Sequence, residues 1–286
     1  MRKIKLLPGL TNVGVGTRAV LAVPLGEIYH VISFPVSRNG AAMTVAQQLT
    51  DIASIAIKVN DNVVQDWLPA DLHKVNGTMG AAFVARDGFL DLYFSRPDRR
   101  TMEGEENEGW GTADIQNLSV EVTFTSVGGL TSVAISAFAI VDTAPNRPLR
   151  AAPIRHIRRL NFAPGAAGVA QLDKIVKGVN IFYARLHFLS NLVTAVKVTV
   201  DDRIVWHDLP RTLVAELFTV YGLVLQANTY TVAFDLSKQL TDQLATFYPG
   251  NGQLPAAPVQ DFRVDVTVSG AGSFDVLLEQ YRFLAS

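Results

Sequence analysis

The sequence contains an internal repeat whose period is about half of the chain. Residues 58–69 align without gaps with residues 199–210, and five aligned positions are identical: Val59/Val200, Asp61/Asp202, Val64/Val205, Leu68/Leu209 and Pro69/Pro210. A second block near the end of each half also recurs, with Gln116, Val120, Val122, Thr123 and Gly128 matching Gln260, Val264, Val266, Thr267 and Gly272. Solenoid units are about 20–50 residues long, so this period is that of a whole domain, and it predicts a duplicated fold.

The composition provides apolar residues for two cores. Of 286 residues, 49% are hydrophobic and 18% are charged, and this apolar excess predicts that part of the surface lies in subunit contacts. The longest nearly uncharged run, residues 130–141, is shorter than the ~20 residues of a membrane-spanning helix. The start of the chain lacks the apolar region of a signal peptide, which predicts a protein kept inside a cell until assembly or lysis.

Two further features of the composition restrict the chemistry. The chain has no cysteine, which excludes disulfides, thiolate metal sites and cysteine nucleophiles. Its net charge is −1, which gives no general attraction to nucleic acid, so we expect no direct nucleic-acid partner.

Alternating apolar and polar residues dominate both halves and predict an all-β fold. Such alternation is clearest in residues 119–125 and 263–268, as half-buried antiparallel strands require. Helices are predicted only over residues 66–73, with a loop shaped by Pro69 as the alternative, and over residues 212–221, with Leu213, Leu217 and Val220 on one face. Short strands at this density indicate a sandwich in each half, of which the jelly roll and other Greek-key arrangements are both compatible with the pattern.

The boundary between the halves is predicted from proline and arginine. Residues 145–153 contain three prolines and two arginines, a composition typical of an extended, stiff linker. We therefore predict one domain over residues 1–146 and a second over residues 147–286, with the linker at about 145–158.

Several stretches resemble the major capsid protein of corticovirus-type phages, which are tailless icosahedral viruses with a membrane beneath the shell. The similar stretches are residues 21–32, 200–203, 207–209, 221–222 and 227–234. The resemblance implies two tandem eight-stranded antiparallel jelly rolls, a double jelly roll with short helical insertions. It also implies a homotrimer with six similar barrels, a pseudo-hexameric capsomer that tiles an icosahedral shell around an internal lipid membrane.

The partners and location also follow from this resemblance. It implies contacts with neighbouring trimers, with the viral membrane or minor membrane-associated capsid proteins, and with a penton protein at the vertices. The protein is then expected in the virion capsid, after assembly in the host cytoplasm, and it is not expected to be an enzyme.

Basic residues form the strongest local signal. The candidates for a surface that faces the membrane or a partner are Arg2, Lys3, Lys5, Arg147, Arg150, Arg155, Arg158 and Arg159. Each basic group near an anionic membrane contributes up to about 1 kcal/mol. The alternative is a solvated linker whose arginines pair with carboxylates.

Acidic and aromatic residues give two further candidates. The carboxylates of Glu103, Glu105, Glu106 and Glu108 are oxygen ligands of the kind that a structural calcium ion takes, although their spacing is not that of an EF-hand and an exposed loop is the alternative. Trp110 follows them and is a candidate interface anchor, because tryptophan is enriched at such contacts. Trp67 and Trp206 occupy nearby positions in the two repeats, which favours packing in the core or at a hinge.

Enzyme motifs are missing from the sequence. The five histidines show no metal-binding spacing, and neither a nucleophile elbow nor a phosphate-binding loop is present. The alternative to a coat protein is a tandem β-sandwich protein that binds carbohydrate or a receptor. A duplicated glycosidase would need two facing carboxylates, which sequence alone does not locate.

Overall fold

The computed structural model describes residues 2–98, 108–126, 129–142, 149, 153–202, 204–250 and 255–283. The chain divides into two compact units, Met1–Ile154 and Arg155–Phe283. Each unit is built mainly from short antiparallel strands.

The first unit contains eleven described strands and two α-helices, with a 3₁₀ turn at Ala81–Phe83. The strands are β1 (Arg2–Leu6), β2 (Arg18–Ala22), β3 (Ile28–Arg38), β4 (Ala41–Ala42), β5 (Ile52–Val59), β6 (Asn62–Trp67), β7 (Phe89–Tyr93), β8 (Trp110–Gly111), β9 (Leu118–Phe124), β10 (Val133–Ile135) and β11 (Phe138–Asp142). The helices are α1 (Val45–Asp51) and α2 (Pro69–Thr78).

The second unit contains eleven described strands and one α-helix, α3 (Arg211–Val220), with a 3₁₀ turn at Leu240–Asp242. Its strands are β12 (Ile154–Phe162), β13 (Gly168–Gln171), β14 (Ile181–Phe188), β15 (Val193–Val200), β16 (Ile204–Pro210), β17 (Tyr230–Ala233), β18 (Leu244–Ala245), β19 (Phe247–Tyr248), β20 (Ala257–Pro258), β21 (Phe262–Val268) and β22 (Phe274–Arg282).

The two units share one topology. In the first, two four-stranded sheets run in the orders β1-β11-β3-β7 and β2-β9-β5-β6, and the short strands β4, β8 and β10 extend the pairing of β3. In the second, the corresponding orders are β12-β22-β14-β17 and β13-β21-β15-β16. This is the strand order of a jelly roll, so the predicted fold of two tandem eight-stranded jelly rolls with short helical insertions is confirmed.

Alternation along the strands builds both cores. Every second residue of β9 is buried, and β21 repeats this pattern with buried valines at 264, 266 and 268. Burial of one such side chain stabilises the fold by about 1.5–3 kcal/mol. The duplicated pattern seen in the sequence is therefore the pattern of two equivalent cores.

The turns of the β5–β6 hairpin and the β15–β16 hairpin both begin with two residues of positive φ. Asn60 and Asp61 both have positive φ, and so do Asp201 and Asp202, as in the turns that match the twist of a hairpin. The first side chain of each turn also accepts a backbone N–H from the loop that precedes β9 in the first unit and β21 in the second. Asn60 Oδ1 accepts the N–H of Gln116 at 2.8 Å, and Asp201 Oδ1 accepts the N–H of Asp261 at 2.7 Å.

The two hairpins differ by one residue, which corrects the gapless alignment. Two residues separate the paired Val59 and Asn62, whereas three separate Val200 and Ile204. Trp67 therefore pairs with Ile55 at the place where Leu209 pairs with Val196, so the equivalent of Trp67 is Leu209.

The two tryptophans consequently have different surroundings. Trp67 is buried, as predicted, but Trp206 is 51% exposed, so its predicted position in the core is wrong. Trp206 occupies the β-bulge of β16, and Val64 occupies the same bulge of β6. A bulge residue has no partner opposite it, and in an edge strand its side chain can turn towards solvent.

Both predicted helices are present, but the bounds of the first and the buried residues of the second differ from the prediction. Residues 66 and 67 belong to β6, and α2 begins only at Pro69, because proline suits the first helical position, where no N–H donor is needed. Helix α3 lies within one residue of its predicted bounds, but its buried side chains are Val214 and Phe218. On the face predicted to be apolar, Leu213 and Val220 are exposed.

The predicted linker at about 145–158 overlaps a strand at its end. Residues 154–158 form the first half of β12, where apolar Ile154 and Ile157 are both buried. Proline and arginine in the preceding residues concealed this apolar pattern.

Candidate assembly surfaces

Strand β1 carries the N-terminal basic candidates at the edge of its sheet. Lys3 Nζ and Lys5 Nζ lie 3.0 and 3.1 Å from the two carboxylate oxygens of Glu27. Partial burial acts to raise the pKa of Glu27, but the hydrogen bonds from both lysines outweigh it and lower this pKa. On the other face of β1, Ile4 and Leu6 are 75% and 77% exposed. β1 is therefore an amphipathic edge strand whose apolar face is uncovered.

The three described arginines around the predicted linker differ in exposure. Arg147 and Arg150 lie outside the described residues. Arg158 is exposed, Arg159 is half-buried, and Arg155 is buried. The inclusion of Arg155 in a membrane-facing surface is therefore wrong, because strand β12 turns its side chain into the protein.

Two arginine–carboxylate pairs link β12 to β22. Arg155 Nε lies 2.9 Å from Glu279 Oε1, and both side chains are buried. Four residues farther along β12, Arg159 Nη1 lies 2.6 Å from Asp275 Oδ2, and there both side chains remain partly exposed. The buried pair is the costly one to disrupt, because removal of one partner leaves an uncompensated charge.

Glu279 also contacts a buried histidine. His187 Nε2 lies 3.4 Å from Glu279 Oε2, and His187 Nδ1 lies 3.1 Å from Thr231 Oγ1. Burial lowers the pKa of His187, and the interaction with Glu279 opposes this effect only in part. The arrangement is a buried polar network that joins His187 to Glu279 and Thr231.

The first unit contains a similar histidine on β3. His30 Nε2 lies 2.9 Å from Asp142 Oδ2, and His30 Nδ1 lies 3.3 Å from Ser95 Oγ. A serine, a histidine and an aspartate that contact one another in this order resemble a hydrolytic triad. Here, however, Ser95 is fully buried and His30 is 1% exposed, so a substrate cannot reach the hydroxyl. The chain of hydrogen bonds is structural.

The acidic candidates give no cation site in the part of the chain that the structure describes. Glu103, Glu105 and Glu106 lie outside it. Glu108 is buried and accepts the backbone N–H of Arg96 at 2.9 Å, so the interpretation of Glu108 as an exposed ligand is wrong. Within the described ranges, no cluster of three histidine, aspartate or glutamate side chains has the geometry to hold a metal ion.

Trp110 is not an exposed interface anchor. Its side chain is fully buried, and its ring centroid lies 4.7 Å from that of Phe94. Residue 110 pairs with Tyr29 in the short strand β8, which directs the indole into the first core. The prediction relied on the acidic run that precedes Trp110 and did not anticipate this strand.

An uncovered apolar surface in the second unit was missed. We define the β16–α3 face by its exposed apolar side chains: Ile204, Val205, Trp206, Leu213, Val220 and Val224. β16 is the edge strand of its sheet and leads directly into α3, which packs against it. The signal was present in the sequence, because α3 is apolar on two faces, and only one face of a helix can pack against its own core.

A cleft beside Trp206 adds depth to the β16–α3 face. It has a volume of about 430 Å³ and lies between β16 and the residues that follow β17, with Leu209, Phe234 and Leu236 among its lining residues. On its wall, His207 Nε2 donates to the hydroxyl of Tyr230, whose own hydrogen is donated to the carbonyl of Leu209. Burial lowers the pKa of His207 to about 4, so this imidazole is neutral near pH 7.

Family models match both halves of the chain. The model described as the viral coat protein P2 N-terminal domain matches residues 4–142, and the model for the C-terminal domain of the same protein matches residues 154–283. A search of curated proteins gave no match.

Solved structures share the fold over the whole chain. The major capsid protein P2 from bacteriophage PM2 is 17% identical, with a TM-score of 0.84, and the alignment covers 100% of this chain and 98% of that one. The STIV MCP is 10% identical, with a TM-score of 0.63 and coverages of 99% and 97%. The PBCV-1 virus capsid is 8% identical, with a TM-score of 0.58 and coverages of 98% and 93%.

Proposed function

Because the chain belongs to the viral coat protein P2 family, it is a major capsid protein, and we propose that it forms homotrimers that tile an icosahedral shell around an internal lipid membrane. As a coat protein it is a structural component of the virion capsid and not an enzyme. This membership favours the coat function over the alternative of a carbohydrate- or receptor-binding protein.

The observation that carries the trimer is the shared topology of the two units. Each unit has the same two four-stranded sheets in the same strand order. Three copies of the chain then supply six similar jelly rolls, and six similar bodies around a threefold axis give a nearly hexagonal outline. Hexagonal units tile a flat facet without gaps, while a separate penton protein occupies the fivefold vertices, and assembly takes place in the host cytoplasm.

The internal membrane is supported by basic groups that the fold leaves accessible. Arg158 is exposed on β12, shortly after Arg147 and Arg150, and basic clusters of this kind bind anionic lipid headgroups. The described residues include no helix long and apolar enough to cross a bilayer. We therefore propose contact with the membrane surface, or with minor membrane-associated capsid proteins, through charge.

Light scattering during size-exclusion chromatography tests the trimer. The expected mass is three times the 31.1 kDa of one chain, and it should resist dilution. A monomer at every concentration would contradict the proposed capsomer. Addition of calcium or a chelator tests whether an ion bridges the subunits, and a trimer that dissociates only in the chelator would show that it does.

Liposome flotation tests the membrane contact separately. Combined Arg147→Ser, Arg150→Ser and Arg158→Ser substitutions should weaken binding to anionic vesicles, and the difference from wild type should shrink as salt screens the charges. Arg18→Ser is a matched control, because this arginine is also exposed but lies in the first unit. Equal binding by the triple variant and wild type would refute the role of these arginines.

A further inference from the structure

The β16–α3 face is larger than an isolated domain needs to expose. Its six apolar side chains are between 36% and 77% exposed. Together they present on the order of 500 Å² of apolar surface, near the upper end for the largest patch on a typical monomer. A stable interface buries about 800 Å² on each partner, so this face could supply the apolar centre of one, with a polar rim around it.

The first unit shows that the jelly roll itself does not require this surface. Asn62 and the buried Val64 stand in β6 where β16 has Ile204 and the exposed Trp206. Helix α2 is buried along most of its length, whereas α3 exposes apolar side chains. Val63 of β6 is 56% exposed, much as its equivalent Val205 is 51% exposed. The two units therefore differ at Trp206 and along the helix, and this difference indicates a contact that only the second unit makes.

The charge of the β16–α3 face favours a protein partner. Residues 204–224 contain Asp208, Arg211 and Glu216, and their net charge is −1. A surface that binds lipid phosphates or nucleic acid carries an excess of basic groups instead. An acidic rim around an apolar centre suits a protein surface with apolar residues between basic ones.

Strand β1 has these properties. Ile4 and Leu6 alternate along it with Arg2, Lys3 and Lys5, and its net charge is +2 when Glu27 is included. A cyclic trimer is closed by a heterologous contact, in which two different and complementary patches of each subunit meet. This chain carries one such patch in each unit.

We propose that the β16–α3 face of one subunit binds strand β1 of a second copy of the chain. This inference rests on the proposed trimer and names the surfaces that close it. Ile4 and Leu6 enter the apolar surface around Trp206 and the cleft beside it. Arg2 shares their face of β1 and approaches Asp208 and Glu216, while Lys3 and Lys5 stay with Glu27 on the opposite face. Anchors that fill pockets at the centre of an interface provide most of its binding energy.

The test compares variants of the full chain by light scattering. Trp206→Asp and, separately, Val220→Asp should weaken trimer formation about 100-fold or more. Both side chains are exposed, so the subunits should remain folded by circular dichroism. Val169→Asp is the matched control, because Val169 is 70% exposed on β13, the opposite edge of the same sheet, and this variant should remain trimeric.

A mixing experiment tests the pairing of the two faces. The double variant Ile4→Asp with Leu6→Asp should also be monomeric, but it keeps an intact β16–α3 face, while Trp206→Asp keeps an intact β1. An equimolar mixture should therefore form a complex of two chains. A mixture that stays monomeric at the highest soluble concentration would overturn the pairing.

The outcomes separate this contact from the trimer itself. If wild type is monomeric, the proposed capsomer fails and this contact fails with it. If wild type is trimeric and Trp206→Asp and Val220→Asp remain trimeric under dilution, the contact is overturned and the trimer stands. Tryptophan emission gives an independent readout, because Trp67 and Trp110 are buried in the subunit and Trp206 is half exposed. Dilution of wild type should shift the emission to the red only if Trp206 becomes exposed on dissociation.

Discussion

Replacement of Glu279 by leucine should strongly destabilise the second unit. In wild type, Arg155 Nε lies 2.9 Å from Glu279 Oε1, and water reaches neither side chain. Glu279→Leu removes the carboxylate and leaves the guanidinium buried without its counter-charge. Disruption of a buried ion pair in this way costs about 3–5 kcal/mol. With a urea dependence of about 2 kcal/mol per M, the unfolding midpoint should fall by roughly 1.5–2.5 M.

Two control variants in β12 and β22 test whether the cost of Glu279→Leu comes from the buried charge of Arg155. Asp275→Leu breaks the partly exposed pair with Arg159 and should cost less than about 1 kcal/mol, because solvent screens such pairs. The double variant Arg155→Met with Glu279→Leu replaces both charges by apolar groups. Such replacements of buried pairs are often neutral or stabilising, but His187 Nε2 also loses Glu279 as its partner. The stability of the double variant should therefore exceed that of Glu279→Leu and remain about 1–3 kcal/mol below wild type.

The assay is urea unfolding of the full chain, followed by circular dichroism at a single protein concentration, since association changes apparent stability. Hydrogen–deuterium exchange in β12, β14 and β22 should locate the loss in the second unit. A cost below about 1 kcal/mol for Glu279→Leu would refute the buried pair. It would mean that Arg155 reaches solvent or lipid, as the sequence alone had suggested.

Other parts of the fold make further expectations. Tyr29→Phe and Tyr183→Phe should each cost about 1 kcal/mol in urea unfolding, because each hydroxyl donates to a loop carbonyl at 2.6 Å; no loss in either would refute the role of these bonds. Asn60→Ala and Asp201→Ala should each speed amide exchange in the loop that precedes β9 or β21, respectively, and unchanged protection would contradict the paired turns. His207→Gln should flatten the pH dependence of stability. The folded pKa of His207 is lowered to about 4 from 6.5, so wild type loses stability as pH falls between these values, and an identical pH profile in the variant would count against this.

The fold was accessible from the sequence because two kinds of pattern coincide. Alternation of apolar residues identified strands such as β9 and β21, and the repeat showed that they belong to equivalent units. Both patterns depend on burial within one unit, which is a local property. The first residues of β12 were predicted as part of the linker, because the apolar Ile154 and Ile157 lie among arginines.

The assembly surfaces were less accessible, for a physical reason. Whether an apolar or charged residue faces the core, a partner or solvent depends on contacts between strands that are far apart in sequence. Arg155 and Trp110 looked exposed by residue type or neighbourhood, yet the former meets Glu279 across a sheet and the latter packs on Phe94. Trp206 looked buried, yet it occupies a bulge in an edge strand.

The unequal hairpins show how turn length decides which residues of a repeated segment take which structural role. One residue more between β15 and β16 than between β5 and β6 moves all that follows by one position, so an insertion of one codon acts as a simultaneous substitution along an entire strand. The dipeptide Leu-Pro marks the event: Leu68 and Pro69 start a helix, while Leu209 and Pro210 end a strand. The same two residue types therefore occur in both units with different structural roles, and the unit with the longer turn can take on a separate function.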